Sequence, residues 1–213
     1  MLTTKSAYIS YMYKAIGFDL GGVIIDYSPK TQQEYLARVL EVAPTVLSQA
    51  YRMYRPQVDA GMISNSEFWD YLITATASRF DPIATGHLWN EGYEQLSLVD
   101  GMLELVDRLR GNGYKTAMFS NLDPDHTAID RRRGLFDHFD VAVVSNEIRE
   151  IKPHPKAYQI LAAKLDILTS ELIFIDDTSD NVTGAEEAGC LGLLFANTQD
   201  LIMQLRQLKI NCD

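Results

Sequence analysis

Four short polar segments contain the residue types that could do chemistry on a charged substrate. In chain order they are centred on Asp19, Ser120-Asn121, Lys152 and Asp176-Asp177. Two adjacent carboxylates repel each other and usually need a cation nearby. Taken singly, an aspartate before two glycines is also typical of a turn, and a Ser-Asn pair of a turn or a helix cap. The position of each segment in the fold therefore decides whether the four form a site.

Five apolar runs are typical of strands that would hold these segments in place. Each run is continuously apolar rather than alternating, which favours strands of a parallel sheet covered on both faces. The predicted strands are Lys14–Asp19, Tyr114–Ser120, Val141–Ser145, Leu172–Asp176 and Leu191–Phe195. Helical spacing predicts helices over Met102–Arg110, Lys156–Leu165, Val182–Ala188 and Leu201–Leu208. Strands alternating with helices predict an α/β fold with a doubly wound, Rossmann-like parallel sheet.

The segment over residues 28–98 breaks this alternation. Its apolar residues recur at helical spacing, as in Tyr35-Leu36 and Val39-Leu40, and it contains no run typical of a buried strand. We therefore predict an inserted all-helical domain over residues 28–98. The α/β core then comprises residues 12–27 and 99–213, with residues 1–11 as an N-terminal extension.

The polar segments fall at one edge of the predicted sheet. Asp19 ends the first predicted strand, Ser120 the second and Asp176 the fourth, while Lys152 follows the third. In parallel α/β sheets, ligands bind outside the carboxyl ends of the strands. The sequence therefore predicts that these side chains converge on one site.

The sequences around these positions resemble the four motifs of the haloacid dehalogenase (HAD) superfamily. The matching stretches are FDLGGVI, FSN, IKPHPKAY and FIDDTSDNVTGA. The resemblance covers roughly Lys14 to Phe195 and is greatest for capped sugar-phosphate phosphatases and for the phosphatase domain of soluble epoxide hydrolase. It implies a HAD core with a C1 helical cap, and a magnesium-dependent hydrolase of small phosphomonoesters such as sugar phosphates.

The resemblance also implies a role for each matched residue. Asp19 would be the catalytic nucleophile that forms an aspartyl-phosphate. Ser120 through its hydroxyl and Asn121 mainly through its backbone N–H would bind the phosphoryl oxygens. Lys152 would neutralise Asp19 and the transferred group, serving both catalysis and substrate binding. Ser145 is interpreted as a turn residue rather than a phosphate ligand.

The metal ligands implied by the resemblance are all oxygen donors, as magnesium prefers. They are Asp19, the carbonyl of Gly21, and the pair Asp177 and Asp176, of which Asp177 is the first choice for the direct ligand. Asn181 is expected to support this loop. Asp180 is a weaker candidate, and His154 is interpreted as a loop residue.

Gly21 departs from the family pattern. Most phosphatases of this family have a second aspartate there, which protonates the leaving alkoxide, and general acid catalysis is typically worth about 10²–10⁴-fold. Three consequences are open: a substrate with a better leaving group, such as an anomeric oxygen; another acid from the cap or from water; or weak catalysis. We favour the first. At or beside the cap, Tyr27, Trp69 and Trp89 are candidates for stacking on a sugar ring, although aromatics at helical spacing more often form a core.

Composition restricts the partners. The formal net charge of -10 argues against nucleic acid, which is bound by clusters of Lys and Arg. No apolar run approaches the roughly 20 residues that cross a bilayer. Two cysteines do not form a disulfide framework, and we expect Cys190 to be buried, Cys212 to be exposed and the protein to be a cytoplasmic monomer or homodimer. The one basic run, residues 131–133, is interpreted as a solvated helix end.

Two other functions are compatible with the same residues. A 2-haloacid dehalogenase would use Asp19 to attack carbon and would need no general acid, but it uses no metal, and paired aspartates would repel its carboxylate substrate. A phosphate-binding module without turnover would explain Gly21, although the nucleophile, lysine and metal carboxylates are all retained.

Overall fold

The computed structural model describes residues 13–213, and its centre is a parallel sheet of five strands. The strands are β1 Ala15–Phe18, β2 Lys115–Ser120, β3 Val141–Val144, β4 Leu172–Asp176 and β5 Leu191–Leu194. Their order in the sheet is β3-β2-β1-β4-β5, and every neighbouring pair is parallel. The predicted doubly wound α/β fold is confirmed. The predicted N-terminal extension, residues 1–11, lies outside the described residues.

Burial of the strands follows their place in the sheet. All residues of β1 and β4 are buried, in agreement with their continuously apolar sequences. The edge strands β3 and β5 are only partly buried, so the prediction that both faces are covered is wrong there. Three strands also end one residue earlier than predicted, and Ser145 is instead the first residue of a short helix.

Within residues 13–213, six helices accompany the strands of the core. They are α5 Met102–Gly111, α6 Pro124–Arg132, α7 Ser145–Ile148, α8 Pro155–Lys164, α9 Ser179–Glu187 and α10 Thr198–Gln207. Short 3-10 turns lie at Leu135–His138 and Thr169–Glu171. Of α6, the sequence predicts only the basic end. The start of α6 is set by Asp123, whose side chain accepts hydrogen bonds from the N–H groups of Asp125 and His126, with Pro124 in the first turn.

The segment between β1 and α5 is helical, as predicted. It contains α1 Pro29–Val39, α2 Pro44–Asp59, α3 Asn65–Thr76 and α4 Pro82–Glu94. These helices bury an apolar cluster of their own, which includes Leu36, Leu47, Leu72, Trp69 and Trp89. We call α1–α4 the insertion.

Two linkers join the insertion to the core and run side by side. The N–H of Asp26 donates to the carbonyl of Ser97 at 2.9 Å, and the N–H of Val99 donates to the carbonyl of Ile24 at 2.9 Å. The insertion therefore leaves and re-enters the core at one place. Its exact division from the core at residues 28 and 98 stays a prediction.

Two further sequence expectations concern burial and membranes. Cys190 is buried as expected, but Cys212 is also buried, with 3% exposure, because the C-terminal segment packs with Ile210 against the main apolar cluster. Within residues 13–213, none of the helices has the length and apolar character needed to cross a membrane.

Candidate active site

Sheet register brings two of the predicted aspartates together. Phe18 at the end of β1 is paired with Ile175 of β4, and the N–H of Asp19 donates to the carbonyl of Ile175 at 2.8 Å. The next residues, Asp19 and Asp176, therefore emerge side by side at the carboxyl edge of the sheet. Ser120 ends the neighbouring strand β2 at the same edge.

Lys152 lies between these two carboxylates. Its Nζ is 2.9 Å from Asp19 Oδ1 and 2.6 Å from Asp176 Oδ2, and its side chain is only 1% exposed. Burial alone would lower the pKa of Lys152, but attraction by Asp176 and Asp19 outweighs it and raises the pKa. Burial and repulsion from Asp176 raise the pKa of Asp19 to about 7 against the opposing effect of Lys152. The pocket thus holds more negative charge than one lysine neutralises.

The two neighbouring aspartates have different surroundings. Asp176 is fully buried and accepts hydrogen bonds from Lys152, from the N–H of Thr178 and from Asn181 Nδ2. Asn181 therefore supports this loop, as expected. Asp177 is exposed at its tip, but partial desolvation by the surrounding chain, together with the charge of Asp176, raises its pKa.

The acidic residues form a donor set that fits a divalent cation. Asp19, Asp176 and Asp177 each offer a carboxylate oxygen, and these oxygens all lie within 4.8 Å of one another. Hard cations such as Mg²⁺ prefer carboxylate oxygens, and an ion here would offset the excess negative charge. Since most lone pairs of Asp176 already accept hydrogen bonds, Asp177 has more capacity for direct coordination.

The space around the backbone near the metal candidates differs between the two glycines. Gly22 has φ +79°, and a Cβ there would lie 2.3 Å from Asp177 Oδ2, so only glycine fits against this carboxylate. Gly21 lines the cavity, and a Cβ there would lie 3.3 Å from the ring of Tyr27. The site therefore requires Gly22, whereas Gly21 is merely crowded.

The predicted phosphate-binding residues lie at the same place. Ser120 is buried, and Ser120 and Asn121 both line the cavity. Asn121 exchanges two hydrogen bonds with the backbone of Lys152, each of 2.9 Å. Its side chain thereby fixes the lysine loop, which leaves its backbone N–H as the group for a ligand.

These residues form one side of a cavity of about 190 Å³. We call Asp19, Ser120, Asn121, Lys152 and Asp177 the floor. The lining residues that come from the linker, the insertion and α6 are Tyr27, Tyr51, Arg55, Asp59, Tyr93 and His126, and we call them the roof. Of the roof residues the sequence singles out only Tyr27, and the remaining five are missed.

The charges of the roof are paired with one another. Arg55 Nε is 2.8 Å from Asp59 Oδ1 and 2.9 Å from Asp59 Oδ2, and Arg55 Nη2 is 3.1 Å from Asp123 Oδ2. Burial raises the pKa of Asp59 to about 6 despite the attraction of Arg55. The spacing of Arg55 and Asp59 on α2 allows an i,i+4 pair, but nothing in the sequence indicates that Asp123 joins it.

Several other candidates lie elsewhere. Trp69 and Trp89 are buried in the apolar cluster of the insertion, so they do not line the cavity. His154 and Asp180 are exposed and are not among its lining residues. The Ser145 hydroxyl donates to the carbonyl of Asp59 at 2.5 Å and accepts from the N–H of Leu122, so it joins the insertion to the core.

The family model of the haloacid dehalogenase-like hydrolases matches residues 13–189, a range that includes all residues of the floor. The chain belongs to this family. The hydrolase is 25% identical over 197 residues to a sesquiterpene phosphatase of Aspergillus oryzae, covering 92% of this chain and 96% of the relative. It is also 25% identical over 187 residues to a D-ribitol-5-phosphate phosphatase of Bacteroides thetaiotaomicron, covering 84% and 89%.

The fold of this hydrolase is shared with solved structures. One HAD family enzyme from Bacteroides thetaiotaomicron, crystallised with magnesium and inorganic phosphate, superposes with a TM-score of 0.74. The match covers 91% of this chain and all of that chain at 22% identity, so it establishes the shared fold.

Proposed function

We propose that this hydrolase is a magnesium-dependent phosphomonoesterase that acts through an aspartyl-phosphate on Asp19. The observation that carries the proposal is the position of Lys152, buried between Asp19 and Asp176 at the sheet edge, with a third carboxylate, Asp177, beside them. The relatives described above are phosphatases, and one structural neighbour holds magnesium and phosphate, which supports the same chemistry.

The first half-reaction transfers the phosphoryl group to the protein. Within the described residues, the hydrogen bonds to Asp19 come from the N–H of Leu20 and from Lys152 and both reach Oδ1. This leaves Oδ2 to attack phosphorus in line, forming the Asp19 Oδ2–P bond as the bond from phosphorus to the leaving oxygen breaks. Lys152 stabilises the charge on the transferred group, and Ser120 and Asn121 hold its oxygens.

The second half-reaction restores the carboxylate. Water attacks phosphorus, the Asp19 Oδ2–P bond breaks, and inorganic phosphate leaves with the protons of the attacking water shared between phosphate and solvent. Magnesium, held by Asp19, Asp177, Asp176 and the carbonyl of Gly21, would supply charge neutralisation that keeps the Asp19 carboxylate ionised and offsets the phosphoryl charge. The raised pKa values of Asp19 and Asp177 support a cation at this place.

The insertion serves as a cap in this proposal. Its residues Tyr51, Arg55, Asp59 and Tyr93 line the cavity opposite the floor, so it covers the substrate and excludes water. Because no side chain at Gly21 can protonate the leaving oxygen, we propose small phosphorylated metabolites with a good leaving group, such as sugar 1-phosphates.

The carboxylates also separate the proposal from 2-haloacid dehalogenase activity. A haloacid carries its own carboxylate, which Asp176 and Asp177 would repel in the absence of a cation. A phosphomonoester bound with magnesium has no such conflict. Halide release from haloacetates without metal would reverse this assignment.

The test is phosphate release from p-nitrophenyl phosphate and from sugar 1- and 6-phosphates, with and without magnesium. The Asp19→Asn variant should lose activity by about a thousandfold or more, because it lacks the nucleophile. Asp70→Asn, the same change at an exposed residue of α3, is the matched control and should retain it. Metal binding without phosphate release from any ester would instead favour a binding module.

A further inference from the structure

Tyr27 is fixed beside the floor by both of its neighbours in the chain. On one side, the N–H of Asp26 donates to the carbonyl of Ser97 at 2.9 Å. On the other side, Ser28 is the N-cap of α1. The Tyr27 ring lies against Gly21, where a Cβ would be 3.3 Å from Cδ1 of the ring. The ring therefore borders the space that a larger side chain at residue 21 would occupy.

Tyr27 and Tyr51 contribute two neighbouring hydroxyls, which we call the tyrosine pair, to the cavity lining. Burial raises the pKa of Tyr27, against the charge of Arg55 and a hydrogen bond from Tyr51, so the Tyr27 hydroxyl keeps its proton at neutral pH. The Tyr51 ring is held by edge-on packing against Phe68 and Trp89 in the insertion. Two hydroxyls that bond to each other have two protons and use one between them. One proton of the pair is therefore left for a ligand.

The other hydrogen-bond donors of the roof already face carboxylates. The Arg55 guanidinium is paired with two aspartates. The Tyr93 hydroxyl donates to Asp130 at 2.7 Å. His126 Nδ1 lies 3.1 Å from Asp123 Oδ2. Among the roof residues, the tyrosine pair is therefore the remaining source of a donor.

The proposed first half-reaction creates a need for such a donor. The attacking Asp19 Oδ2 and the leaving oxygen lie on opposite faces of the phosphoryl group. Negative charge develops on the leaving oxygen as its bond to phosphorus lengthens, and a donor aimed at it stabilises the transition state. The donors of the floor, Lys152, Ser120 and Asn121, serve the phosphoryl oxygens in that mechanism. The leaving oxygen must find its donor elsewhere in the lining.

We propose that the Tyr27 hydroxyl donates a hydrogen bond to the leaving oxygen, and that Tyr51, which donates to Tyr27, positions it. The proposal rests on the proposed phosphatase function. Tyr27 is the donor rather than Tyr51 because its ring lies against Gly21, two residues from Asp19. Tyr27 keeps its proton, and the leaving oxygen takes one from water. Since a hydrogen bond lowers the barrier less than a full proton transfer does, the preference for good leaving groups remains.

The test compares esters whose leaving groups differ in their need for a donor. Phenyl and p-nitrophenyl phosphate have similar shapes, but the nitro group spreads the charge of the departing phenolate. Tyr27→Phe keeps the ring against Gly21 and removes the hydroxyl. It should lower kcat/KM about tenfold or more for phenyl phosphate and a sugar 6-phosphate, but less than about threefold for p-nitrophenyl phosphate. This constant covers the departure of the leaving oxygen, which forms the aspartyl-phosphate.

Two further variants assign the effect to the tyrosine pair. Tyr51→Phe should change the ratio of p-nitrophenyl to phenyl phosphate in the same direction but by only about threefold, because it removes the support and leaves the donor. Tyr27→3-fluorotyrosine keeps the hydroxyl and makes it a stronger donor, so it should narrow the ratio. Tyr35→Phe, at an exposed tyrosine of α1, is the matched control and should keep the wild-type ratio.

The possible failures are distinguishable. If the wild-type protein releases phosphate from none of these esters, the phosphatase proposal itself fails. If release depends on Asp19 but Tyr27→Phe lowers kcat/KM equally for all three esters, the role of Tyr27 is structural and only this inference is overturned. An unchanged ratio in Tyr27→Phe with native circular dichroism, or a larger change in Tyr51→Phe than in Tyr27→Phe, would overturn it as well.

Discussion

The floor and the roof of the cavity both contain buried ion pairs, but they arrange them differently. In the floor, one lysine is shared by Asp19 and Asp176, and Asp177 adds a third carboxylate, so negative charge is in excess. In the roof, Arg55 pairs with Asp59 and Asp123, so one positive charge meets two carboxylates rather than three. The floor therefore has unpaired negative charge that a cation can neutralise, whereas the charges of the roof hold the insertion against α6.

This difference separates two functions of buried charge. A pair that is complete within the protein contributes to structure, and removing one partner leaves the other buried and uncompensated. In the floor, burial and the excess of carboxylates raise the pKa values of Asp19 and Asp177, and such perturbed groups are typical of sites that bind or react. In the roof, burial raises the pKa of Asp59 to about 6, whereas the pKa of Asp123 is lowered to about 2.

Neutralising the two cations one at a time tests the comparison most strongly. Lys152→Met should lower kcat by about a hundred- to a thousandfold, because it removes a donor to the transferred group. Arg55→Met should lower kcat less than tenfold but reduce the free energy of unfolding by about 3–5 kcal/mol, because it breaks a buried pair. Steady-state kinetics and urea unfolding of both variants measure this. The comparison is wrong if Arg55→Met costs as much kcat as Lys152→Met.

Adding a carboxylic acid to the floor should accelerate the hydrolysis of alkyl phosphates. Gly21→Asp should raise kcat for alkyl phosphates by about tenfold or more, below the full 10²–10⁴ of general acid catalysis because the new Cβ crowds Tyr27 at 3.3 Å. Gly21→Asn has nearly the same shape but cannot donate a carboxylic proton, and it is the control. Equal rates in the two variants would show that leaving-group protonation does not limit this hydrolase.

Two glycine substitutions compare packing in the core and the insertion. Gly184→Ala should lower the free energy of unfolding by about 1–3 kcal/mol, because its Cβ would lie 2.0 Å from the carbonyl oxygen of Pro153, beside Lys152. Gly92→Ala, in α4, meets nothing within 4 Å and should raise stability by about 0.5–1 kcal/mol. Thermal and urea unfolding give both values, and a neutral Gly184→Ala would contradict the tight contact.

The loss of stability at acid pH should depend on the protonation of His126. Its pKa is lowered from 6.5 to about 4 in the folded state, so between these values the unfolded chain binds more protons and stability falls as pH falls. Wild type should therefore lose about 1–3 kcal/mol more than His126→Phe between pH 6.5 and 4.5. Asp59 and Asp130, whose pKa values are raised to about 6, act in the opposite direction in both proteins, so the difference isolates His126. Parallel stability curves for the two proteins would show that His126 does not titrate this way.

The sequence predicts the floor better than the roof for a physical reason. Asp19 and Asp176 directly follow buried strands, and parallel pairing brings the ends of such strands together at one edge. Arg55 and His126 lie in helices, and their place in the cavity lining depends on how the insertion packs against α6. No periodicity in the sequence encodes that packing. The motif Asp123-Pro124 could have indicated the start of α6, and with it the place of His126, since both residues are typical of a helix start.

The burial of single elements and residues shows the same limit of prediction from local sequence. The apolar pattern places all five strands, but β3 and β5 lie at the edges and are only partly covered, which their composition does not reveal. Cys212 is buried because the chain returns to the core after α10, a tertiary contact beyond local pattern. Trp69 and Trp89 illustrate the reverse case, since helical spacing correctly favours a core position over a ligand contact.

The paired linkers at Ile24–Asp26 and Ser97–Val99 determine how easily the insertion can be replaced. Both ends of the insertion meet at one hydrogen-bonded junction, so the core holds the insertion as a closed loop. The entropy of closing a loop grows only slowly with its length. The core can therefore accept an exchanged, shortened or extended insertion while its sheet stays the same. Grafting another insertion between these linkers should keep the strand-end residues in place and change the substrate preference.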